Sequence, residues 1–245
     1  MRLDLFLTEQ GLTRSRTEAA RLITEGAVTV AGVVCRKPSQ PIDESTLPET
    51  VTVSREAHPY VSRGGEKLKA ALDAFSLSPE GRCAIDVGAS SGGFTDCLLR
   101  HGARRVLAVD SGSGQLVPSI AADPRVYSIE RYNARFLRAE DLPEIPDFAV
   151  MDVSFISQTL ILPALAALLP AGAPFISLIK PQFEVGREGI GKGGIVRDAF
   201  VRRMAVKRVQ DACIASCFDP IGCIDSPILG GDGNHEFLAA FVRRA

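Results

Sequence analysis

From Cys83 to Ile179 the chain repeats one pattern, in which a short apolar segment is followed by a glycine or an aspartate and then by a helix-forming segment. This alternation predicts an α/β fold with a mostly parallel, doubly wound sheet. Ligands of such sheets bind at the carboxyl ends of the strands, so functional residues are expected there. The predicted strands lie at 83–87, 105–110, 126–129, 148–153, 175–179, 221–225 and 236–242. Helices are predicted near 94–101, 114–122 and 157–169, and a long helix is predicted to start at Asp198.

Residues 1–57 have a different character from the rest of the chain. Two short helices, a hairpin and a last short strand are expected there. About 57 residues make only a marginal core, so this part is expected to be an accessory α+β module. The sequence therefore predicts three parts: a module at 1–57, a linker at 58–62 and a larger domain at 63–245.

Composition and charge exclude several classes of protein. The chain has 28 basic and 29 acidic residues and a net charge of −1, so nucleic-acid binding would depend on local patches. The longest uncharged apolar run, 160–174, is shorter than the roughly 20 residues of a membrane span. Arg2 and Asp4 interrupt any signal peptide. The six cysteines lack metal-site spacing. We expect a cytoplasmic, reduced protein with no membrane segment and no metal.

The turn after the first strand of the larger domain is the most informative segment. Asp86 ends that strand, and the glycines that follow would let backbone approach a ligand at a helix N-terminus. A P-loop is disfavoured because Phe94 stands where the phosphate-binding lysine belongs. Asp110, which ends the next strand, would accept ribose hydroxyls in a nucleoside-cofactor site. The same turn also fits the nucleophile elbow of a hydrolase centred on Ser90, with His235 completing the triad.

Charged residues stand at the ends of other strands. Lys180 and Asp152 directly follow apolar strands, and Glu236 lies beside a glycine-rich turn. Lys67 shares a helix edge with apolar residues, whereas Lys69 lies on the outer face of that helix. A strand-end lysine is most often a solvated cap, so these positions do not define an activity by themselves.

Five segments of the chain together carry a resemblance to a known family. They are Ser62–Leu68, Asp86–Thr95, Asp152–Ser157, Leu178–Glu184 and Gly233–Phe237. In this order they resemble the TlyA (hemolysin A) family of FtsJ-like rRNA 2′-O-methyltransferases. Residues 1–57 are similar to that family's alpha-L RNA-binding domain.

The resemblance implies a Rossmann-like domain that binds S-adenosylmethionine and methylates a cytidine 2′-hydroxyl in ribosomal RNA. The short termini favour the large-subunit type, with the small subunit as the alternative, and the oligomeric state stays open. The implied catalytic tetrad is Lys67, Asp152, Lys180 and Glu236. The residues expected at the cofactor are Asp86, Gly88, Ala89, Ser90, Gly92, Gly93, Phe94 and Asp110.

Such a tetrad makes chemical sense because a ribose hydroxyl is a poor nucleophile and must be oriented and deprotonated. A free lysine, with a pKa of about 10.4, is mostly protonated at neutral pH. Burial and a second lysine nearby would leave one amine neutral. We expect Lys180 to be the base, with Asp152 and Glu236 as orienting groups.

RNA binding is expected from a small basic patch in the module and from residues that flank the site. Two other functions are weighed against this one: a haemolysin-like membrane-active protein and an RNA chaperone without catalysis. The partner expected is ribosomal RNA or a ribosomal subunit. The residues expected to contact RNA are Arg14, Arg16, Arg21, Lys37, Arg63 and Arg187.

Overall fold

The computed structural model describes residues 1–13, 15–24, 26–43, 45–53, 60–231 and 233–245, without the side chains of Arg21 and Arg187. Two compact units make up the chain, Met1–Ala57 and His58–Ala245, and each is described by itself. Positions 58 and 59 of the predicted linker lie outside the described residues. Positions 60–62 are part of the larger unit, where Tyr60 is buried and Val61 N–H donates to Asp96 Oδ2 at 2.8 Å.

The small unit packs two helices against a three-stranded antiparallel sheet with strand order β2-β1-β3. Ser15 caps the second helix, because its Oγ accepts a hydrogen bond from Glu18 N–H at 3.1 Å. Leu3, Phe6 and Ile23 are buried in the small core. The elements are α1 Leu3–Glu9, α2 Arg16–Thr24, β1 Val28–Val30, β2 Val33–Cys35 and β3 Val51–Val53.

The larger unit is built on a seven-stranded sheet with strand order β6-β5-β4-β7-β8-β10-β9. The first five strands in this order are parallel, and β10 runs antiparallel to both of its neighbours. The prediction of a doubly wound, mostly parallel Rossmann-like sheet is confirmed. The strands are β4 Cys83–Val87, β5 Arg105–Val109, β6 Val126–Ile129, β7 Phe148–Met151, β8 Pro174–Ile179, β9 Phe218–Asp225 and β10 Phe237–Arg243.

The antiparallel direction of β10 follows from the length of its connection to β9. Only residues 226–236 connect β9 to β10. A parallel return needs a crossover of a dozen or more residues, usually with a helix, so the shorter connection reverses the chain.

The helices of the larger unit cover both faces of the sheet, and two of them are shorter than predicted. The helix expected near 114–122 is reduced to four residues that begin at Pro118. The helix expected at 157–169 starts five residues late, after a separate 3-10 turn at Gln158–Leu160. The helices are α3 Gly64–Phe75, α4 Gly93–Arg100, α5 Pro118–Ala121, α6 Leu162–Leu168, α7 Pro181–Glu184 and α8 Ala199–Ala215.

One edge of this sheet gathers the ends of strands that carry charged residues. The parallel strands β4, β7 and β8 end there and β10 begins there, because β10 runs in the opposite direction. We call this the site edge. Within the described ranges, no helix is long and apolar enough to cross a membrane.

Candidate active site

Two lysine–carboxylate pairs lie at the site edge. Lys180 follows β8, and its Nζ lies 2.5 Å from Oδ1 of Asp152, which follows β7. Lys67, in the second turn of α3, has its Nζ 2.5 Å from Oε2 of Glu236, which precedes β10. Register pairs Phe237 with Ile179, so Glu236 and Lys180 stand across from each other one step further along. The structure thus brings together the four residues predicted as a tetrad.

The two pairs differ in their contact with solvent. The Lys67 and Glu236 side chains are 10% and 3% exposed, whereas those of Lys180 and Asp152 are 13% and 22% exposed. Lys180 Nζ also donates to Ser154 Oγ at 2.9 Å. The two partners of the Lys180 amine, Asp152 and Ser154, both line the cleft at the site edge, whereas Lys67 and Glu236 are both buried.

A cleft of about 510 Å³ opens beside Asp152 at the site edge. That volume lies within the range of small-molecule sites. Gly88 lies on its floor with φ +89°, and a Cβ there would stand 2.3 Å from the Asp152 carbonyl oxygen, so only glycine fits. The walls mix polar and apolar groups: Ser90, Asp110, Ser111, Gln115, Tyr132, Asn133, Val153 and Ile156.

Asp110 shapes the polar end of the cleft. Its carboxylate accepts hydrogen bonds from Ser90 N–H at 2.8 Å and from Gly112 N–H at 2.7 Å. These bonds fix the glycine turn against the loop after β5 and hold the carboxylate at the cleft wall. A carboxylate at the end of the second strand of such a sheet suits the hydroxyls of a ribose. The residues present therefore fit a nucleoside cofactor such as S-adenosylmethionine.

Five of the residues predicted at the cofactor do not line the cleft. Asp86 is fully buried beneath the turn and accepts a hydrogen bond from Thr95 Oγ1 at 2.7 Å. Phe94 packs against Gly64, and a Cβ on Gly93 would meet Ser62 Oγ. These residues form the buried support of the turn, whereas Gly88, Ser90 and Asp110 line the cleft. Ala89 and Gly92 are buried in the same way as the other three.

Burial raises the pKa of Asp86 to about 7, from an ordinary value of 3.8. In the unfolded chain this carboxyl ionises first, so as pH rises from about 4 to about 7 its contribution to the free energy of unfolding is lost. Asp86→Asn should remove this dependence. The variant should gain about 1.4 kcal/mol of stability relative to the native sequence for each pH unit in that window. Urea unfolding of both proteins at pH 5, 6 and 7 measures it; a difference that is constant with pH contradicts it.

Next to the site, Glu184 and Gln158 belong to a buried hydrogen-bond network that sequence reasoning missed. Glu184, in α7, accepts hydrogen bonds from Ser157 Oγ at 2.6 Å and Gln158 N–H at 2.9 Å, and burial raises its pKa. Gln158 Nε2 donates to the Leu178 carbonyl at 2.7 Å. This network ties the loop after Asp152 to the strand that carries Lys180. Glu184 and Ser157 lie in segments that carried the resemblance, but nothing in the sequence pairs them.

Sequence reasoning also missed Phe155, which directly follows Ser154 in the loop after β7. Its side chain is 92% exposed at the cleft, and its φ of +64° is rare for a bulky residue. Its ring lies 5.2 Å from the Phe183 ring, between centroids. Because strained backbone positions cluster at functional sites, Phe155 is a candidate for contact with a ligand.

The predicted RNA-binding residues are only partly described. Arg16 Nε lies 3.0 Å from the buried Asp4 carboxylate, which also binds Arg2, so these guanidinium groups hold the pKa of Asp4 down at about 2. Lys37 is exposed, and Arg63 directly precedes α3. Arg14 and the side chains of Arg21 and Arg187 lie outside the described residues.

The hydrolase alternative finds no support in this geometry. Ser90 has φ +47°, which suits a sharp turn, but no described histidine bonds its hydroxyl. His101 instead bonds the Cys97 carbonyl at the far end of α4. Nor does any group of three or more histidine, cysteine or acidic side chains suited to a metal ion occur among the described residues.

The sheet and its cleft define an S-adenosylmethionine-dependent methyltransferase. Solved methyltransferases of this class share the fold at 13% and 18% identity, with TM-scores of 0.55 and 0.53. Residues 60–243 match the FtsJ-like methyltransferase family, and residues 1–47 match the S4 domain. The chain belongs to the TlyA (hemolysin A) family of FtsJ-like methyltransferases, as its sequence predicted.

Relatives support this membership over the whole chain. The chain is 42% identical to the 16S/23S rRNA (cytidine-2′-O)-methyltransferase TlyA of Mycobacterium tuberculosis, across 97% of this chain and 88% of that protein. It is 46% identical to YqxC of Bacillus subtilis, provisionally described as an rRNA methyltransferase, across 97% and 84%. A solved Streptococcus thermophilus protein, provisionally described as a hemolysin, is 44% identical with a TM-score of 0.79 and covers all of this chain and 88% of its own.

Proposed function

We propose that this protein transfers a methyl group from S-adenosylmethionine to the 2′-hydroxyl of a cytidine in ribosomal RNA, with the large subunit as the expected acceptor. The observation that carries the proposal is the pair of lysine–carboxylate contacts at the site edge, beside a cleft that fits the cofactor. The cytidine and the ribosomal RNA come from the activity of the Mycobacterium relative.

Lys180 is proposed to accept the proton of the ribose hydroxyl. Asp152, 2.5 Å away, holds the amine in place and pairs with the ammonium that forms once the proton has moved. When bound, S-adenosylmethionine would supply the electrophilic methyl group. Ser154 Oγ, 2.9 Å from Lys180 Nζ, orients the amine.

The Lys67–Glu236 pair is proposed to hold the ribose. Both groups are buried, so their positions are fixed before the substrate arrives. The Lys67 ammonium places a positive charge near the oxygen as that oxygen loses its proton, which stabilises the developing negative charge. Glu236 keeps that ammonium in place and accepts a hydrogen bond from it.

Phe155 is proposed to stack on the target base as its ribose enters the site. Stacking of a base on an aromatic ring contributes about 1–3 kcal/mol. Phe155→Ala should therefore raise the KM for RNA by about five-fold or more, while the affinity for S-adenosylmethionine stays unchanged. Steady-state kinetics with RNA as the varied substrate measure the effect. Phe136→Ala, at another exposed aromatic residue, is the control; equal effects of the two variants would contradict the role of Phe155.

The S4 domain is proposed to bind the RNA away from the target nucleotide. Phosphate contacts position a backbone without reading its sequence. Arg16 is exposed on one side while the buried Asp4 fixes its guanidinium, so it offers donors in a set direction. Lys37 is exposed. Arg14, Arg21, Arg63 and Arg187 remain predicted contacts, and a cytoplasmic location is proposed because the substrate is there.

The experiment that tests this function is methyl transfer from radiolabelled S-adenosylmethionine to separated small and large ribosomal subunits. We expect label in large-subunit RNA, and label in both subunits would extend the substrate range. Binding of the cofactor without label in either RNA would contradict the proposed acceptor. Failure to bind the cofactor would contradict the methyltransferase function itself.

A further inference from the structure

The segment that leads into α8 carries a concentration of positive charge that the catalytic site does not use. Residues 192–208 contain six basic side chains and one acidic side chain, in a chain whose net charge is −1. The acidic residue, Asp198, is occupied as the cap of α8, where its Oδ1 accepts from Phe200 N–H at 2.7 Å. The local field is therefore strongly positive.

Of these six basic residues, two bind backbone carbonyls within the fold and two others are exposed. Arg202 Nη1 donates to the Arg197 carbonyl at 3.2 Å, and Arg208 Nη1 donates to the Glu184 carbonyl at 2.9 Å. The side chains of Arg197 and Arg203 are exposed, and neither forms an ion pair with a carboxylate in the described part of the chain. Their charge is available to a ligand.

Exposed apolar side chains lie on the same face of α8 as Arg203. Phe200 is 63% exposed and Met204 is 49% exposed, and with Arg203 and Lys207 they follow the i, i+3, i+4, i+7 spacing of one helix face. Lys207 is paired with Asp211 at 2.9 Å on that face. We call Arg197, Phe200, Arg203 and Met204 the α8 stripe. The exposed Phe200 ring stands in sequence between Arg197 and Arg203, so the ring and both charges are open to one ligand.

The α8 stripe lies beside the site edge. The chain before α8 is fixed there by the buried Asn234, which lies two residues before Glu236 in sequence. The Asn234 Oδ1 accepts a hydrogen bond from Val196 N–H at 3.0 Å. Since β9 runs in the same direction as β8, α8 must return from the site edge to the opposite edge. Arg197, just before α8, and the first turns of α8 with Phe200, Arg203 and Met204 therefore lie at the site-edge end of the helix.

We propose that the α8 stripe binds the RNA strand adjacent to the target nucleotide, with Arg197 and Arg203 on phosphates and Phe200 stacked on a base. The inference rests on the proposed function, because it assigns a further contact surface to the same RNA. Charge complementarity selects RNA as the occupant, since unpaired arginines around an aromatic ring match a phosphate backbone with stackable bases. A purely apolar protein partner would leave both arginines unpaired.

The test compares R197Q/R203Q with R104Q/R125Q in the full-length enzyme. The control pair removes two arginines that precede β5 and β6, at the opposite edge of the sheet, and each of them is paired with a carboxylate. At 0.1 M salt each single-strand phosphate contact contributes about five-fold to affinity. R197Q/R203Q should therefore bind deproteinised substrate rRNA about 25-fold more weakly and lower the slope of log K against log salt by about 1.4.

Phe200→Ala should weaken the same binding by about five-fold or more without changing the salt slope, because it removes stacking and not charge. For all stripe variants kcat at saturating RNA and the affinity for S-adenosylmethionine should stay within about two-fold of the native values, since the reacting groups are intact.

Three results would overturn the proposal. Stripe variants that bind rRNA as tightly as the control pair would show that the stripe does not contact RNA. A defect seen with assembled subunits but not with deproteinised rRNA would assign the surface to a ribosomal protein. A fall in kcat at saturating RNA with unchanged affinity would place the effect in the catalytic groups. If the native enzyme itself fails to bind or methylate rRNA, the proposed function fails and not the stripe alone.

Discussion

Replacing Lys180 by alanine should lower the rate of methyl transfer by a factor of about 10²–10⁴, the usual contribution of a general base. The reason is that Lys180 Nζ lies between Asp152 and Ser154, which both line the cleft, so a substrate hydroxyl bound there can reach the amine. The affinity for S-adenosylmethionine should change little, because Gly88, Ser90 and Asp110 form the cleft without it. Single-turnover kinetics and cofactor titration separate the two effects.

Lys69 provides a matched control for this prediction. It lies on the exposed face of α3 and pairs with Asp73, away from Glu236. Lys69→Ala should leave turnover within about two-fold of the native rate, since an exposed ion pair is worth less than about 1 kcal/mol. Loss of cofactor binding in Lys180→Ala, or a rate equal to that of Lys69→Ala, would contradict the assignment of Lys180 as the base.

The second large effect concerns the buried pair of Lys67 and Glu236. Lys67→Met leaves the Glu236 carboxylate, which is 4% exposed, without its partner. Breaking a buried pair on one side costs about 3–5 kcal/mol of stability. Both Lys67→Met and Glu236→Gln should therefore lower the midpoint of urea unfolding and abolish turnover.

The double variant separates stability from catalysis. K67M/E236Q carries no unpaired charge, so it should recover most of the stability lost by each single variant while remaining inactive. The measurement is a double-mutant cycle by urea unfolding, with Lys69→Met as the control for an exposed pair. Additive losses in the double variant would contradict a coupled, buried pair.

Much of the fold follows from the sequence because its strands are short, apolar and followed by turn residues. Each predicted strand of the larger domain corresponds to an observed strand, and the glycine turn after β4 lies where alternation placed it. The helices α5 and α6 were overestimated because periodicity does not show where Pro118 and Pro163 start a helix late. Sheet order cannot be read from one sequence, and neither can the antiparallel insertion of β10 between β8 and β9.

Part of the candidate site could also be predicted from the sequence. Position in the sequence draws attention to all four residues, and the resemblance unites them as a tetrad. The pairing of each lysine with its own carboxylate depends on three-dimensional register. The exposure of Phe155 depends on its φ of +64°, which no local pattern encodes. The network around Glu184 joins segments 26 and 27 residues apart and needs the folded sheet.

The central claim is that the two lysine–carboxylate pairs at the site edge serve ribose methylation. The most direct test digests rRNA that the enzyme has methylated in vitro to nucleosides and identifies the labelled product by mass spectrometry. The account predicts 2′-O-methylcytidine, at a single position whose phosphodiester bond resists alkaline hydrolysis, and none with Lys180→Ala. Methyl groups on a base, or 2′-O-methylcytidine formed equally by Lys180→Ala, would contradict it.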